Sequence, residues 1–419
     1  MKQGLTIAAI GLYFLCTYRA TSEELATNKP VTYCNQIARL VQSRCQQCHR
    51  PGQSAPFSLV KYEDARHWAE SIKEATTERR MPPWFADRSI GKFANDRSLS
   101  DQEIATVAAW VDAGCPKGDE RDLPPPREFA EGWTIGKPDA IFTMQQEYAV
   151  PATGLVPYRY FQIPTNFDED KWVQAVELRA GNPAVVHHIL MQVRLAGENQ
   201  QERRARDPLT ADDQRALGYF AAMAPGSIPP TFPPGFGKKI PKGATILFQM
   251  HYTPNGTAQT DRSSVGLIFA KEPVHTEVRT RGIFNQFFVI PAEADAHEVK
   301  SRYTLPQDSV VLGFMPHMHL RGKSFEYVVA HSDNRTEKLL SVPRYDFNWQ
   351  LTYELAEPLR LAKGATIHCT AQFDNSQANK ANPDSTKQVT WGDQTWNEMM
   401  IGYINYYVPG QTTSDKASD

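Results

Sequence analysis

Two cysteines and a histidine in the stretch Cys45-Gln46-Gln47-Cys48-His49 constrain the fold of this chain more than any other feature. The cysteines are about one helical turn apart, which suits two thioether bonds to one haem, and the adjacent His49 is then placed to bind the iron. A redox-active dithiol needs no such histidine and usually lies beside a βαβ pattern, which is missing here. The motif therefore predicts one covalent haem c, bound by Cys45, Cys48 and His49.

A haem c commonly takes a methionine as its second axial ligand. We expect Met81 to fill this role because Pro82 and Pro83 stiffen its loop and remove competing backbone donors. His67 is the alternative ligand, although it lies in a polar helical stretch and is more typical of an exposed helix residue.

Residues 31–118 are predicted to form a small all-α cytochrome c domain. Its last helix is expected after Ser100, an N-cap residue that is followed by apolar residues at helical spacing, among them Ile104 and Val107. Cys34 and Cys115 flank the domain and are candidates for a disulfide, because haem c is attached outside the cytoplasm, where disulfides persist.

The N-terminus predicts export. Lys2 precedes an apolar run from Leu5 to Leu15, with small or polar residues around Ala20, which is typical of a signal peptide over residues 1–20. The run is too short to indicate a membrane span. A net charge of −2 argues against a nucleic-acid partner. We therefore expect a soluble protein that is periplasmic or secreted.

Beyond residue 118 the sequence changes from helical to extended. Residues 119–138, with many charges and prolines at positions 124–126, predict a stiff linker. Short runs rich in β-branched and aromatic residues follow, such as Val185 to Val193, Thr245 to Tyr252 and Ser309 to Phe314. A chain of 419 residues is long enough for about three domains. We expect two all-β sandwich domains, at 139–278 and 279–409, and a tail at 410–419.

Five of the eleven histidines lie next to strand-forming residues in this β region. His187 and His188 are adjacent, and His251 lies in a later predicted strand. His317 and His319 form an H-x-H pair, in which strand alternation directs both imidazoles to one face. The five histidines predict metal binding. The doublet poses a difficulty, because adjacent strand residues point to opposite faces unless the backbone bends.

Histidines alone leave the metal open, since imidazole suits zinc, copper, iron and nickel. A three-histidine site is similar to catalytic zinc, whereas a methionine ligand favours copper because a soft thioether selects Cu(I). Met399, near the end of the β region, is a candidate, although spacing alone places it as readily in the core. The histidines assigned to structural roles are His67, His275, His297, His331 and His368.

Four motifs occur in the order seen in one family: His187-His188, Gln249-Met250-His251-Tyr252, His317-Met318-His319-Leu320 and Asn397-Glu398-Met399-Met400-Ile401-Gly402-Tyr403. Over roughly residues 140–408 the chain resembles the copper type II, ascorbate-dependent monooxygenases, which include peptidylglycine α-hydroxylating monooxygenase and dopamine β-monooxygenase. The resemblance implies two jelly-roll-like domains with one copper each, facing across a cleft.

By this resemblance, His187, His188 and His251 would hold an electron-transfer copper. The second, oxygen-activating copper would be bound by His317, His319 and Met399. The residues implied for the catalytic side of the site are His317, His319, Met399, Tyr403 and Gln249.

The implied reaction is hydroxylation of a C–H bond with O2, with the electrons supplied by ascorbate or a periplasmic donor. Haem c would relay them to the first copper and on to the second, since a Pro-rich linker keeps the effective concentration of a tethered domain high.

Two departures from the family pattern bear on the substrate. Met315 stands where relatives that bind peptide carboxylates have an arginine, and Ile401 replaces an asparagine, while Tyr403 is kept. Without the bidentate grip of an arginine, an anionic peptide terminus fits poorly, so we expect a small, neutral or apolar organic substrate. Cys369 is expected to be a free, buried thiol.

Other functions remain open. An exported haem and copper protein could carry electrons or bind copper without oxygenase activity. A blue-copper carrier or nitrite reductase needs a cysteine thiolate with two histidines, and only Cys369 is available, with no histidine closely following it. A hydrolytic zinc enzyme would leave Met399 and the haem motif unexplained.

Overall fold

The computed structural model describes residues 30–411, except for residues 54, 131 and 196–218. The predicted signal peptide at residues 1–20 and all but two residues of the predicted tail at 410–419 lie outside the described residues.

The helices of the described residues lie between Tyr33 and Asp122. The first helical stretch has π-type turns at Tyr33–Ile37 and Val41–Cys45 on either side of α1, and a 3-10 turn at Glu120–Asp122 follows the last helix. The α-helices are α1 (Ala38–Leu40), α2 (Tyr62–His67), α3 (Ala69–Thr77) and α4 (Asp101–Asp112). The helix predicted after Ser100 is present as α4, where the Ser100 and Glu103 side chains each bond the other's backbone N–H in a capping box.

Strands follow from residue 140 onward and fall into two halves, as β-branched and aromatic residues favour. The first half contains β1 (Ala140–Thr143), β2 (Tyr148–Val150), β3 (Arg159–Pro164), β4 (Lys171–Arg179), β5 (Val186–Arg194), β6 (Tyr219–Met223), β7 (Phe236–Ile240), β8 (Thr245–Tyr252), β9 (Gln259–Asp261), β10 (Ser264–Phe269) and β11 (Thr276–Glu277). The second half contains β12 (Arg279–Phe284), β13 (Val289–Ile290), β14 (His297–Thr304), β15 (Ser309–His317), β16 (Gly322–Ala330), β17 (Thr336–Val342), β18 (Tyr353–Leu361), β19 (Thr366–Phe373), β20 (Val389–Thr390) and β21 (Ile401–Tyr407).

Within the described residues these strands pair into six sheets, three in each half. The first half has the orders β1-β10-β4-β7-β11, β3-β8-β5-β6 and β2-β9, and the second has β12-β21-β15-β18, β14-β19-β16-β17 and β13-β20. The pairing is antiparallel apart from β11 with β7. Each half buries its own core, with Phe248 and Ile189 in the first and Phe314 and Tyr327 in the second.

The stretch between α3 and α4 is not helical and joins the second β half. Trp84 and Ala86 belong to the core of that half, and Phe93 forms an isolated β-bridge with Leu355. The Asp87 N–H also donates to a backbone carbonyl of β17. The helices pack on one another around Trp110, which is fully buried, while this stretch is packed against strands.

The fold class expected from the sequence, a small all-α cytochrome c domain followed by two all-β jelly-roll-like sandwich domains, is wrong. The structure is mostly β, with 37% of residues in strands and 12% in helices, arranged as many small antiparallel sheets. No all-α cytochrome domain is present in the described ranges. The physical reason lies in the stretch between α3 and α4, since its aromatic residues are buried against the β core and not within a helical unit.

None of the helices among the described residues is long and apolar enough to cross a membrane.

Candidate metal centres

The first histidine set consists of His187 and His188 on β5 and His251 on β8. In the pairing of these strands His188 lies opposite His251, and the register shifts between Val186 and His188. This bulge at His187 relieves the alternation that would send adjacent side chains to opposite faces. The Nδ1 atoms of His187 and His188 are 3.2 Å apart. One ligand atom from each of the three residues lies within 4.8 Å of the others.

Burial keeps the imidazoles of the first set neutral. Removal from water lowers the pKa of His187, of His188 and, to about 3, of His251. Nδ1 of His251 is buried and has no hydrogen-bond partner in the part of the chain that the structure describes. A buried unpaired nitrogen is costly, and a metal ion would satisfy it. The donor set and this nitrogen fit a metal such as copper.

The second histidine set consists of His317 and His319. His317 is the last residue of β15 and lies opposite Ile401 of β21, while His319 follows beyond the strand end. The two ring centroids are 5.3 Å apart at an interplanar angle of 88°. Both residues are buried, with His319 only 1% exposed. Burial lowers the pKa of His317 to about 4 and that of His319 well below its ordinary value.

Oxygen acceptors engage one nitrogen of each ring in the second set. His317 Nδ1 lies 2.7 Å from Gln350 Oε1, and His319 Nδ1 lies 3.2 Å from the Asn397 carbonyl oxygen. An Nδ1–H that donates to oxygen leaves the lone pair on Nε2. Nε2 of His319 is buried and has no hydrogen-bond partner within the described residues. The Gln394 backbone lies near the His319 ring. Both Nε2 atoms are therefore suited to a metal.

Glu398 connects the segment of Met399 to the backbone that follows the H-x-H pair. Its fully buried carboxylate accepts from the His319 N–H at 2.8 Å and from the Arg321 N–H at 2.7 Å. Burial raises the pKa of Glu398 to about 8, against the opposing effect of these bonds. Met399 follows directly, half-buried, just before β21. Sequence reasoning did not single out Glu398, whose only signal was its place beside a predicted ligand.

Tyr403 and Gln249 lie near the sets in different ways. The Tyr403 ring stacks on Tyr219 at 4.9 Å and lies 6.4 Å from the His317 ring. Tyr403 also pairs with Met315 across β21 and β15. Gln249 is on β8, two residues before His251, and its Nε2 donates to Tyr160 Oη at 2.8 Å.

Aromatic side chains from both halves of the chain join the two sets into one buried cluster. Tyr158 comes from the first half, its hydroxyl is buried with no partner among the described residues, and its ring lies 5.5 Å from His188 and 6.2 Å from His319. Phe347 comes from the second half. Its ring lies 5.4, 6.1, 5.7 and 6.0 Å from His187, His188, His251 and His319, respectively.

Gln350 contacts a member of each set. Its Oε1 bonds His317 Nδ1, and its Nε2 lies 3.4 Å from His188 Nδ1. No periodicity or motif marked Gln350, Phe347 or Tyr158 in the sequence, because single residues in loops carry no spacing signal.

Cys369 is fully buried in the core of the second half. Burial raises the pKa of its thiol, and a Cβ at Gly402 would lie 2.5 Å from its sulfur. A protonated thiol packed against β21 in this way is a core residue.

The Cys45–His49 turn follows the first helical stretch. The N–H groups of Cys48 and His49 both donate to the Cys45 carbonyl, at 3.1 and 3.0 Å. His49 Nδ1 lies 3.2 Å from the Phe57 carbonyl oxygen, which leaves Nε2 with the lone pair. Burial raises the pKa of the Cys45 thiol to about 12. Two free thiols and one free imidazole nitrogen in a single turn are a donor set that fits a covalent haem.

The sequence predicted Met81 as a haem ligand and a disulfide between Cys34 and Cys115. Met81 lines a surface pocket with Trp84 and Leu99, whereas His49 packs on Phe57. Cys34 and Cys115 are free thiols, as are the other described cysteines. The structure thus gives no support to a disulfide between them.

One family model matches the chain. Residues 288–417 match the copper type II ascorbate-dependent monooxygenase, C-terminal domain. This match supports the copper-dependent monooxygenase family for the second half of the chain, and copper is the metal expected in that family. The description of that family names ascorbate dependence and monooxygenase activity. No curated protein matches the chain.

Solved structures give only weak likenesses. The major capsid protein P2 from bacteriophage PM2 has 9% identity and a TM-score of 0.26, covering 64% of this chain and 97% of that chain. The STIV MCP has 9% identity and a TM-score of 0.26, covering 67% and 100%. PNGF-II has 8% identity and a TM-score of 0.27, covering 64% and 65%. Overlaps of this size support no conclusion about fold or function.

Proposed function

We propose that this protein is a copper-dependent monooxygenase that hydroxylates a C–H bond of a small, neutral or apolar organic substrate with O2. The observation that carries the proposal is the position of the second histidine set. This buried pair lies inside the segment that matches the monooxygenase family, with each Nδ1 engaged and each Nε2 suited to a metal.

Six side chains would hold two copper ions. The first histidine set would bind one, and His317, His319 and Met399 would bind the other. Copper, when bound, would supply one-electron storage at each site, and a thioether ligand favours Cu(I). Hydroxylation consumes one O2, two electrons and two protons for each C–H bond, and yields the alcohol and one water.

The protein's own contribution is to orient ligands and exclude water. Gln350 and the Asn397 carbonyl fix the rings of the second set. Glu398, next to Met399 in the chain, accepts from the His319 N–H and so ties the two segments that carry the ligands together. Tyr158 and Phe347 fill the space between the sets with aromatic rings. A dry, preorganised site strengthens electrostatic interactions and limits side reactions.

The substrate side is apolar. Met315 is 7% exposed and precedes His317 by two residues, and Ile401 is 8% exposed and pairs with His317. Tyr219 Oη donates to Met315 Sδ at 3.3 Å, which satisfies the hydroxyl without adding a charge. These contacts favour a neutral or apolar substrate over an anionic one.

We further propose that Cys45, Cys48, His49 and Met81 would hold a covalent haem c. A haem there would supply one-electron storage beside the β halves, with ascorbate or a periplasmic donor as the source of electrons. Arg97 lies close enough to Cys48 for its charge to oppose the rise in the pKa of that thiol, and its guanidinium donates to the Gly226 carbonyl, so the Cys45–His49 turn lies near the first β half. Haem c is attached outside the cytoplasm, so the protein is proposed to be exported.

Metal and haem analysis of protein matured in a haem-c-competent periplasm tests the proposal. We expect about two coppers and one haem per chain in the wild type. His251→Ala and Met399→Ala should each lose about one copper, because each removes one ligand of one site. His275→Ala is the matched control, since His275 is exposed and lies outside both sets.

Oxygen uptake with ascorbate, measured across a panel of neutral and anionic substrates, tests the activity. Uptake that depends on a neutral substrate and is lost in Met399→Ala supports the monooxygenase. Zinc in place of copper, or a copper content indifferent to Met399, would refute it.

A further inference from the structure

A loop from the second β half covers the first histidine set. The 346–350 loop connects β17 to β18, yet its Phe347 lies parallel to the His187 ring, at 5.4 Å and an interplanar angle of 10°. Phe347 is only 6% exposed. The loop therefore closes one side of a site whose ligands all belong to the first half.

Asp346 orients the amide of Asn348 within this loop. Asp346 Oδ1 accepts from the Asn348 backbone N–H and from Asn348 Nδ2, both at 2.9 Å. Because Nδ2 is used in this way, the amide oxygen is the atom that faces His187. Asn348 Oδ1 lies 3.3 Å from His187 Nε2.

This geometry selects one tautomer of His187. An amide oxygen only accepts, so Nε2 of His187 carries the hydrogen and Nδ1 carries the lone pair. Nδ1 is also the atom that lies 3.2 Å from His188 Nδ1, on the side of the other ligands. Oxygen acceptors behind a ligating histidine commonly fix its tautomer, its ring orientation and its basicity in this way.

We propose that Asp346 and Asn348 are positioning residues for the first histidine set, which hold His187 with Nδ1 turned toward the metal position. This inference rests on the proposed function for the identity of the metal. It assigns to the second half of the chain a part in building the first site.

The far side of the loop is anchored. The Trp349 N–H donates to the Asp346 carbonyl at 3.0 Å, which closes the turn. A Cβ at Gly226 would lie 3.6 Å from the Trp349 ring and 3.0 Å from Arg97 Nη1, so the loop packs against a segment held by Arg97. Such support keeps Asn348 in place before any metal binds.

Copper titration against a competing chelator tests the proposal. Measurements in the His319→Ala background report the first set, and those in the His251→Ala background report the second. Asn348→Leu should weaken copper binding by the first set about 10- to 100-fold and leave the second set unchanged. Asp346→Asn keeps an oxygen acceptor for the Asn348 N–H groups, so its affinity should stay within about threefold of wild type. Unchanged affinity in Asn348→Leu, or an equal loss at both sets, would overturn the proposal.

A readout without metal separates this inference from the proposed function. In metal-free protein with 15N-labelled histidine, the ring nitrogens of His187 should show the Nε2–H tautomer, and Asn348→Leu should shift the population toward the other tautomer. An Nδ1–H tautomer in the wild type would overturn the inference. If the wild type binds zinc but no copper, the monooxygenase proposal fails while the tautomer result still decides the role of Asn348.

Discussion

The second histidine set is held by its own half of the chain, whereas the first set depends on the other half. Around the second set, the partners Gln350, Asn397 and Glu398 all come from the segment between β17 and β21. Around the first set, Asn348 and Phe347 reach across from the second half. When the supporting residues of a site come from the same segment as its ligands, they lie near a motif that can be found in the sequence. When a distant loop supplies them, no such motif marks them.

The same contrast separates the two parts of the family resemblance. The segment that matches the family model, residues 288–417, contains the second set and its partners. The first set lies outside that match, and its assembly rests on a strand bulge and on contacts between residues about 160 positions apart. We therefore expect a substitution in the second half to be able to disturb the first set, as at Asn348, whereas a substitution at a partner of the second set, such as Glu398, should act mainly on the second set.

The largest effect is expected from Glu398→Ala. Removing this buried side chain leaves two backbone N–H groups without an acceptor, and each unsatisfied group costs about 1–3 kcal/mol, so unfolding should become easier by about 3–5 kcal/mol. Urea unfolding of the metal-free protein measures this loss, with Glu357→Ala, an exposed glutamate on β18, as the control. Copper should be lost from the second set first. Equal losses from both sets would contradict a self-contained second site.

Acid should destabilise the metal-free protein through the buried histidines. Their folded pKa values lie below the unfolded value of about 6.5, so the unfolded chain binds more protons and stability falls as pH drops below 6.5. The loss should continue to about pH 4 for His317 and about pH 3 for His251, at up to about 1.4 kcal/mol per pH unit and histidine.

Chemical denaturation between pH 7.5 and 5 measures this slope. His317→Gln should reduce it by about one proton, and so should His251→Gln, which compares the two sets directly. An unchanged slope in both variants would show that these rings are not held neutral by burial.

The smallest effect is expected from Phe347→Leu. The shorter side chain leaves space beside four imidazoles, which should cost about 1 kcal/mol, whereas Phe287→Leu at an 82% exposed position should cost less than about 0.5 kcal/mol. Thermal or urea unfolding measures both. In the His319→Ala background, Phe347→Leu should also weaken copper binding by the first set. Full affinity there would mean that the 346–350 loop only covers the site.

Local features of the fold were predictable, and their assembly was not. The Ser100 cap and the strands around His188, His251 and His317 follow from residue types and short spacings. The fold class was wrong because the segment from Met81 to Arg97 has the prolines and aromatic residues of a loop in a cytochrome, yet it buries Trp84 in the β core. A sequence does not state which core will bury an aromatic residue.

Within the candidate site, the sequence supplied the donor residues but not their supports. Tyr158, Phe347, Asn348, Gln350 and Glu398 are single residues without a periodic signal, and each acts through a contact made only in the folded chain. The bulge on β5 belongs to the same class, since a pair of adjacent histidines indicates that the backbone must bend but not how.

The sequence by itself determined the types, order and local spacing of the donors: the Cys-x-x-Cys-His turn, the histidine doublet, the single His251, the H-x-H pair and Met399. Covalent geometry fixes such spacings within one turn or one strand, so they survive any packing. The tertiary structure alone decided that the two histidine sets meet in one buried cluster, and which nitrogen of His187, His317 and His319 faces away from its oxygen acceptor. The first outcome depends on ring contacts between residues about 160 positions apart, which only the packing of the two β halves brings together. The second depends on hydrogen bonds that span 33 to 161 positions and exist only in the folded chain.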